Sequence, residues 1–175
     1  MKTSHHPQLG VIESEVLSFC LNFHRTPQRG RLLLLCGGSG NGKTMALEAI
    51  CEWVAVVGKS IPYIERQNHL RIPDVRMVNW PAAIDAMMGG DWTITEAMIE
   101  PTVAGLDDIG AEHDPTRIGV EKLYRIFNER IGRWTVATTN IAPEQLEEKF
   151  ERRLVSRFLR DSVIVDLSGV PDFNV

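Results

Sequence analysis

Cysteine is scarce in this chain, and where it occurs it forms no pattern. Cys20, Cys36 and Cys51 sit among apolar residues at spacings that fit neither a zinc site nor a disulfide framework. An odd count of thiols without an export signal points to a reducing, cytoplasmic setting. No apolar run approaches the roughly 18 residues that would cross a bilayer, which excludes a membrane-spanning helix. The first ten residues are polar, with His5, His6 and Pro7, and lack the basic start and apolar core of a signal peptide. No second cluster completes a metal site around the two histidines. Basic charge is not in excess either. A net charge of −4 excludes a strongly basic nucleic-acid wrapper and leaves room only for a local basic face. Repeats, low-complexity tracts and a long Pro/Gly/Ser linker are all missing. What remains is one globular domain of ordinary balance, 43% hydrophobic and 24% charged over 175 residues.

Along that domain, apolar stretches alternate between two periods. Residues 11–24 carry Val16, Leu17, Cys20, Leu21 and Phe23 at near-helical spacing, until Thr26, Pro27 and Gly30 break it. Leu32 to Cys36 is continuously apolar, the mark of a strand buried on both faces. Helices are predicted at Met45–Val57, Pro81–Met88, Thr93–Ile99, Val120–Ile131, Pro143–Phe150 and Arg152–Leu159. The helix at Val120–Ile131 should turn Leu123, Ile126, Phe127 and Ile131 inward. Further strands are predicted at Asp74–Val78, Val103–Leu106, Thr135–Thr138 and Val163–Leu167. Alternation of this kind predicts an α/β fold, a parallel sheet with helices on both faces, although strand order is not readable from it.

One motif is specific. Gly37-Gly38-Ser39-Gly40-Asn41-Gly42-Lys43-Thr44 matches glycine, four residues, glycine, lysine, then serine or threonine, between an apolar strand and a helix. The glycines let successive backbone N–H groups turn around a phosphate, and the following helix adds its positive N-terminal end. Lys43 is expected at the β- and γ-phosphates and the Thr44 hydroxyl on Mg²⁺, with Met45 next to the bound ATP. Phosphoryl transfer also needs a carboxylate for the metal and a group that orients the attacking water. Asp107 and Asp108, at the end of an apolar segment, are assigned to metal and water respectively. Ala104 and Gly105 are weak strand formers in that segment. Asn140 closes the strand at 135–138, at an end where open α/β sheets bind ligands. On its own it also reads as a turn or cap residue. Arg153 and Arg157, four apart, share one helix face.

The segments LLLLCGGSGNGKT, GLDDIGAE, VATTN and RRLVSRF, in this order, resemble the AAA+ ATPases of the bacterial helicase-loader group: DnaC- and DnaI-type loaders, IstB transposition helpers and, more distantly, DnaA. The resemblance runs from about Phe19 to Leu167. It implies a P-loop sheet of AAA+ type with the lid absent or rudimentary, an N-terminal tail and helix over 1–30 and an ATPase core over 31–175. It implies that Asn140 is the sensor I residue, that Arg157 is an arginine finger reaching a neighbouring subunit, and that Arg153 is a basic residue one turn earlier. Asn79 matches a polar switch position, with a helix-start residue as the alternative, and Arg130 a recurrent arginine of unassigned role. The implied activity is ATP hydrolysis by Lys43, Asp108, Asn140 and Arg157 in an ATP-dependent homo-oligomer. Its partner would be a replicative helicase or another DNA-bound protein, and single-stranded DNA. An IstB-like helper and a small P-loop kinase are the alternatives.

The chain also departs from the group. Loaders carry an N-terminal segment that grips the helicase, whereas here the phosphate loop already begins at Gly37. Phe173-Asn174 stands where an aromatic-arginine pair is frequent, which puts a sensor II arginine in doubt. A chain this compact suits a phage or mobile element. For DNA the candidates are Arg66, His69, Arg71 and Arg76, with Tyr63 and Trp80 as stacking partners, although Glu65 and Asp74 interrupt the positive run. Met87 to Trp92 reads as a helix end at Gly89-Gly90, with a channel-facing loop as its rival.

Overall fold

The computed structural model describes residues 9–25, 31–57, 63–64, 70–71, 73–114, 116–159 and 162–170; at 9–12, 24, 57, 63–64 and 70–71 the description is confined to the backbone. In chain order the elements are α1 (Leu9–Arg25), β1 (Leu32–Cys36), α2 (Lys43–Val57), β2 (Tyr63–Ile64), β3 (Leu70–Arg71), β4 (Val75–Asn79), α3 (Trp80–Met88), α4 (Thr93–Ile99), β5 (Val103–Asp107), α5 (Ile118–Glu129), β6 (Trp134–Thr139), α6 (Leu146–Lys149), α7 (Arg152–Phe158) and β7 (Ser162–Asp166). Five strands form one sheet in the order β4-β5-β6-β1-β7, with every pairing parallel. β2 and β3 form a separate antiparallel pair. The order matters: β6 lies between β1, which leads into the glycine-rich loop, and β5, which ends in Asp107.

Strands covered by helices on both faces must be apolar throughout, and β1, β5 and β6 are buried at every position. β5 explains its own odd composition. A Cβ on Gly105 would lie 2.9 Å from Leu47 Cδ1, 3.0 Å from Met77 Cγ and 3.1 Å from Cys51 Sγ. Helix α2 therefore packs so closely on β5 that only a minimal residue fits, and tertiary packing overrides strand propensity.

Two apolar clusters flank the sheet. One gathers Trp80, Ile84, Met87 and Met98 with Leu123, Ile126, Phe127, Leu154 and Phe158; the other joins Phe19 and Phe23 of α1 to Leu47, Ile50 and Val54 of α2 and to Trp134. Phe19 meets the Trp134 ring edge-on at 4.9 Å between centroids and Phe23 does so at 5.7 Å. Each such pair contributes about 0.5–1.5 kcal/mol beyond area burial. Helix α1 is thereby docked on the sheet. On the other face, Phe158 packs edge-on against Phe127 and Phe150, which fixes α7 on α5.

Several expectations need correction. Trp80 is fully buried in the core and cannot stack on a nucleic-acid base. Ile131 lies beyond the end of α5 and is exposed, because the helix stops at Glu129 and the buried position is taken by Arg130. Pro143–Phe150 is not one helix but a 3₁₀ turn at Pro143–Gln145 followed by α6. Arg66, His69, His5, His6, Phe173 and Asn174 lie outside the described residues. Arg76 is exposed on β4. Met87 is buried at the end of α3, whose C-cap is Gly89, in keeping with a helix end. Among the described residues no helix is long and apolar enough to cross a membrane.

Candidate nucleotide-binding site

The C-terminal ends of β1, β5 and β6 converge on one edge of the sheet. From β1 the chain enters a loop in which Gly40 and Gly42 take φ of 73° and 84°, a left-handed conformation that side-chain-bearing residues avoid. The loop leads directly into the N-terminus of α2, which begins at Lys43. Beside it opens a cavity of about 880 Å³, lined by Ser39 to Ala46 and Ala49, by Glu13 and Val16 of α1, and by Asp108 and Asn140. Gly37 and Gly38 are not part of this lining. Met45 is at the rim, 73% exposed. The position and size suit a nucleotide: polar groups cluster at the helix N-terminus, and Val16, Met45, Ala46 and Ala49 offer an apolar wall.

Lys43 is buried, and its ammonium donates to the carbonyls of Gly37, at 2.9 Å, and Gly38 and to Asn41 Oδ1, also at 2.9 Å. Burial lowers its pKa, while Asp108 and Asp107 oppose that shift, so both carboxylates lie within electrostatic reach. The Thr44 hydroxyl sits over the Asp107 carboxylate, 3.0 and 3.2 Å from its two oxygens. Hydroxyl and carboxylate oxygens at the mouth of a phosphate loop are the hard donors that Mg²⁺ accepts. Among the described residues no cluster of three or more His, Cys, Asp or Glu could hold a metal alone, so Thr44 and Asp107 would share any ion with its ligand.

Asp108 stands at φ 58°, a left-handed conformation costly for a residue with a Cβ. This bend turns Asp108 toward the cavity while Asp107 remains buried in the sheet. Asn140 Nδ2 donates to Asp108 Oδ1 at 3.2 Å. Burial, and next the charge of Asp107, raise the Asp108 pKa, whereas Lys43 and the Asn140 hydrogen bond lower it.

The two threonines before Asn140 hold this arrangement, which sequence reasoning missed. Thr138 Oγ1 donates to Asp107 Oδ1 at 2.6 Å and accepts the Asp108 N–H at 2.9 Å. Thr139 Oγ1 donates to the Ile109 carbonyl at 2.7 Å. One strand thus orients both aspartates and fixes the turn after them. The signal was present as two hydroxyls in succession next to Asn140, but only the strand order shows that they face β5.

Other candidates lie elsewhere. Asn79 caps α3, its Oδ1 accepting from Ala82 N–H at 3.2 Å, and it does not line the cavity. Arg153 and Arg157 flank the ring of Tyr124, at 4.9 and 5.9 Å from its centroid, away from the cavity lining. Arg153 also pairs with Glu151 at 2.6 Å. Arg157 borders a separate surface pocket with Arg152 and Ser156, and its buried Nε has no hydrogen-bond partner. Arg130 sits at the opposite edge of the sheet and takes no part in the site.

No protein-family model matches the chain, and a search of curated proteins finds no match. Solved structures do match it. DnaI superposes with a TM-score of 0.71 at 18% identity, over 98% of this chain and 87% of that one. The DnaC helicase loader gives 0.66 at 18% identity, over 89% and 90%. AMPPCP-bound DnaA from Aquifex aeolicus gives 0.65 at 19% identity, over 88% of this chain and 45% of that one, so the chain spans under half its length. The chain shares the fold of these proteins, a parallel α/β sheet flanked by helices. In this fold, the placement of β6 between β1 and β5 sets Asn140 between the phosphate loop and Asp108.

Proposed function

We propose that this chain binds Mg·ATP and hydrolyses it at subunit interfaces of an ATP-dependent homo-oligomer, acting in DNA replication as a loader or remodeller of a replicative helicase. The observation that carries the reading is that Lys43, Thr44, Asp108 and Asn140, from the ends of β1, β5 and β6, line one cavity, with Asp107 against the Thr44 hydroxyl. In this reading residues 31–175 are the ATPase core and 1–30 an N-terminal tail and helix, of which α1 packs on the core through Phe19 and Phe23.

In this reading the backbone N–H groups of the phosphate loop and Lys43 bind the β- and γ-phosphates, and the nucleobase packs on Val16, Met45 and Ala49. Thr44 and Asp107 hold Mg²⁺, which supplies charge neutralisation for the phosphates when bound. Asp108, fixed by Asn140, orients the attacking water, and Asn140 also faces the γ-phosphate. Arg157 lies outside the cavity wall of its own chain, which supports a role at a neighbour's site. DnaI and the DnaC helicase loader support the replication role by fold, and the Asp-Asp-Ile-Gly-Ala-Glu and Thr-Thr-Asn segments support it by sequence. A cytoplasmic location and single-stranded DNA as a co-ligand belong to the same proposal.

The assembly test uses two inactive variants. Arg157→Ala should bind ATP almost normally yet turn over roughly 10³–10⁵-fold more slowly. Lys43→Ala should fail to bind ATP. Mixed, they form interfaces that pair an intact loop with an intact finger, and ATPase activity returns. Co-assembly without any recovery would refute the shared site. Co-purification with the host helicase, against co-purification with a transposase, tests the biological role.

A further inference from the structure

An ammonium has three N–H donors, and Lys43 has spent all of them inside its own loop. Two go to the backbone carbonyls of Gly37 and Gly38 and the third to Asn41 Oδ1. A phosphate oxygen can take a donor from Lys43 only by displacing one of these acceptors. The carbonyls are fixed by the loop backbone, so the displaceable acceptor is the Asn41 side chain.

Asn41 is itself committed twice. It is 1% exposed, and its Nδ2 donates at 3.0 Å to the carbonyl of Leu167, 126 residues away, where the chain leaves β7. That carbonyl also accepts the Val170 N–H at 2.9 Å, and the Leu167 N–H donates to Cys36 O at 2.7 Å, just before the loop. The contact is close: a Cβ on Gly37 would stand 2.6 Å from the Leu167 carbonyl carbon and 2.8 Å from Ser168 N. Loop and strand exit therefore press together, with the Asn41 carboxamide as the polar link between the Lys43 ammonium and the turn at 167–170.

We infer that Asn41 is a positioning residue that holds Lys43 off the phosphate position and, when a phosphate draws Lys43 away, changes its grip on Leu167, so that the turn after β7 senses occupancy of the site. The physical reason is the cost of an orphaned buried acceptor. Once Lys43 leaves, Asn41 Oδ1 is a buried oxygen without a donor, a state costly enough to drive reorientation. A planar carboxamide that turns its oxygen toward a new donor also turns its Nδ2, and the hydrogen bond to Leu167 weakens. This rests on the nucleotide reading of the site and adds to it a route from the phosphate loop to the chain beyond β7.

The test uses the full chain, isotopically labelled, with pyrophosphate and then ADP as probes. In the wild type, each probe should shift the Asn41 side-chain NH₂ resonances and speed hydrogen exchange of the Val170 amide. In Asn41→Ala no side-chain acceptor has to be displaced, so affinity for pyrophosphate should tighten, roughly 3- to 10-fold, and the Val170 response should vanish. A folded Asn41→Ala chain with unchanged or weaker affinity overturns the inference. So does a wild type whose Asn41 and Val170 signals stay fixed while pyrophosphate binds. If Asn41→Ala does not fold, the wild-type measurement decides alone. The two readings separate through Lys43→Met: if it abolishes binding while the Val170 signals of the saturated wild type never move, only the latch fails. If neither pyrophosphate nor ATP binds the wild type, both fall.

Discussion

Two cations are buried at opposite edges of the same sheet, and they do opposite things. Lys43, 5% exposed at the C-terminal edge, uses three donors on loop acceptors, with two carboxylates in electrostatic reach and an open cavity beside it. Arg130, 2% exposed at the N-terminal edge, spreads its guanidinium over Thr135 Oγ1 and the carbonyls of Met98, Ile99, Pro101, Thr102 and Trp134. Met98 and Ile99 are in the last turn of α4, whose carbonyls have no helical partner, so Arg130 caps that helix at its negative end. Arg133 adds two further bonds, to Ile99 and Glu100. Burial pushes the Arg130 pKa down to about 9, still charged at neutral pH. Burial of a cation on carbonyl oxygens is thus common to the proposed binding site and to a structural clamp. What separates them is whether an acceptor can be exchanged for a ligand.

The contrast predicts that substitutions at one edge act mainly on chemistry, and at the other mainly on stability. Among the residues at the cavity edge, the largest effect on turnover should come from Asp108→Asn, which keeps volume and loses the charge proposed to orient water. Turnover should fall by about 10²–10⁴-fold, with ATP affinity from calorimetry and the melting temperature little changed. Full activity in this variant would remove Asp108 from the mechanism.

Arg130→Met should be the largest effect on folding. It leaves several buried carbonyls without donors and α4 without its cap, at a cost of about 3–5 kcal/mol. Urea unfolding should show this, while the fraction still folded binds ATP as the wild type does. A drop in affinity with unaltered stability would place Arg130 in the functional site and break the comparison.

Lys43→Met should weaken ATP binding by about 10- to 100-fold or more, the value of charge-assisted hydrogen bonds to phosphate. Its stability should fall by less than that of Arg130→Met, because it frees three acceptors where Arg130→Met frees six. The smallest effect is expected for Thr138→Val, which fills the same space and removes the hydroxyl between Asp107 and the Asp108 N–H. Turnover should fall about 10-fold, in line with one lost positioning hydrogen bond. Unchanged kinetics would show that the Asp108 backbone holds its left-handed turn without help.

Legibility in the sequence followed locality. The phosphate loop could be found because its chemistry lies in eight consecutive residues, Gly37 to Thr44, and β1 because five consecutive residues are apolar. Thr138 could not, because its partners Asp107 and Asp108 are reached across the sheet. Asn79 was ambiguous for the same reason: a polar strand-end residue reads alike as a cap or a switch until its hydrogen bond to Ala82 is seen. Trp80 reads as an aromatic beside a basic stretch and proved to be core.

By itself, the sequence determined the parallel α/β class, the strand–loop–helix that presents Lys43 and Thr44, and the acidic pair that closes β5. These depend on period and on contiguous residue types, which a chain carries whatever its partners. Tertiary structure alone decided that β6 inserts between β1 and β5, bringing Asn140 onto Asp108, that α1 docks on Trp134, and that Asn41 ties the loop to the end of β7. It also decided that Arg130 is a clamp. Each of these joins residues far apart in the chain, and a distant pairing is fixed only when the whole core packs.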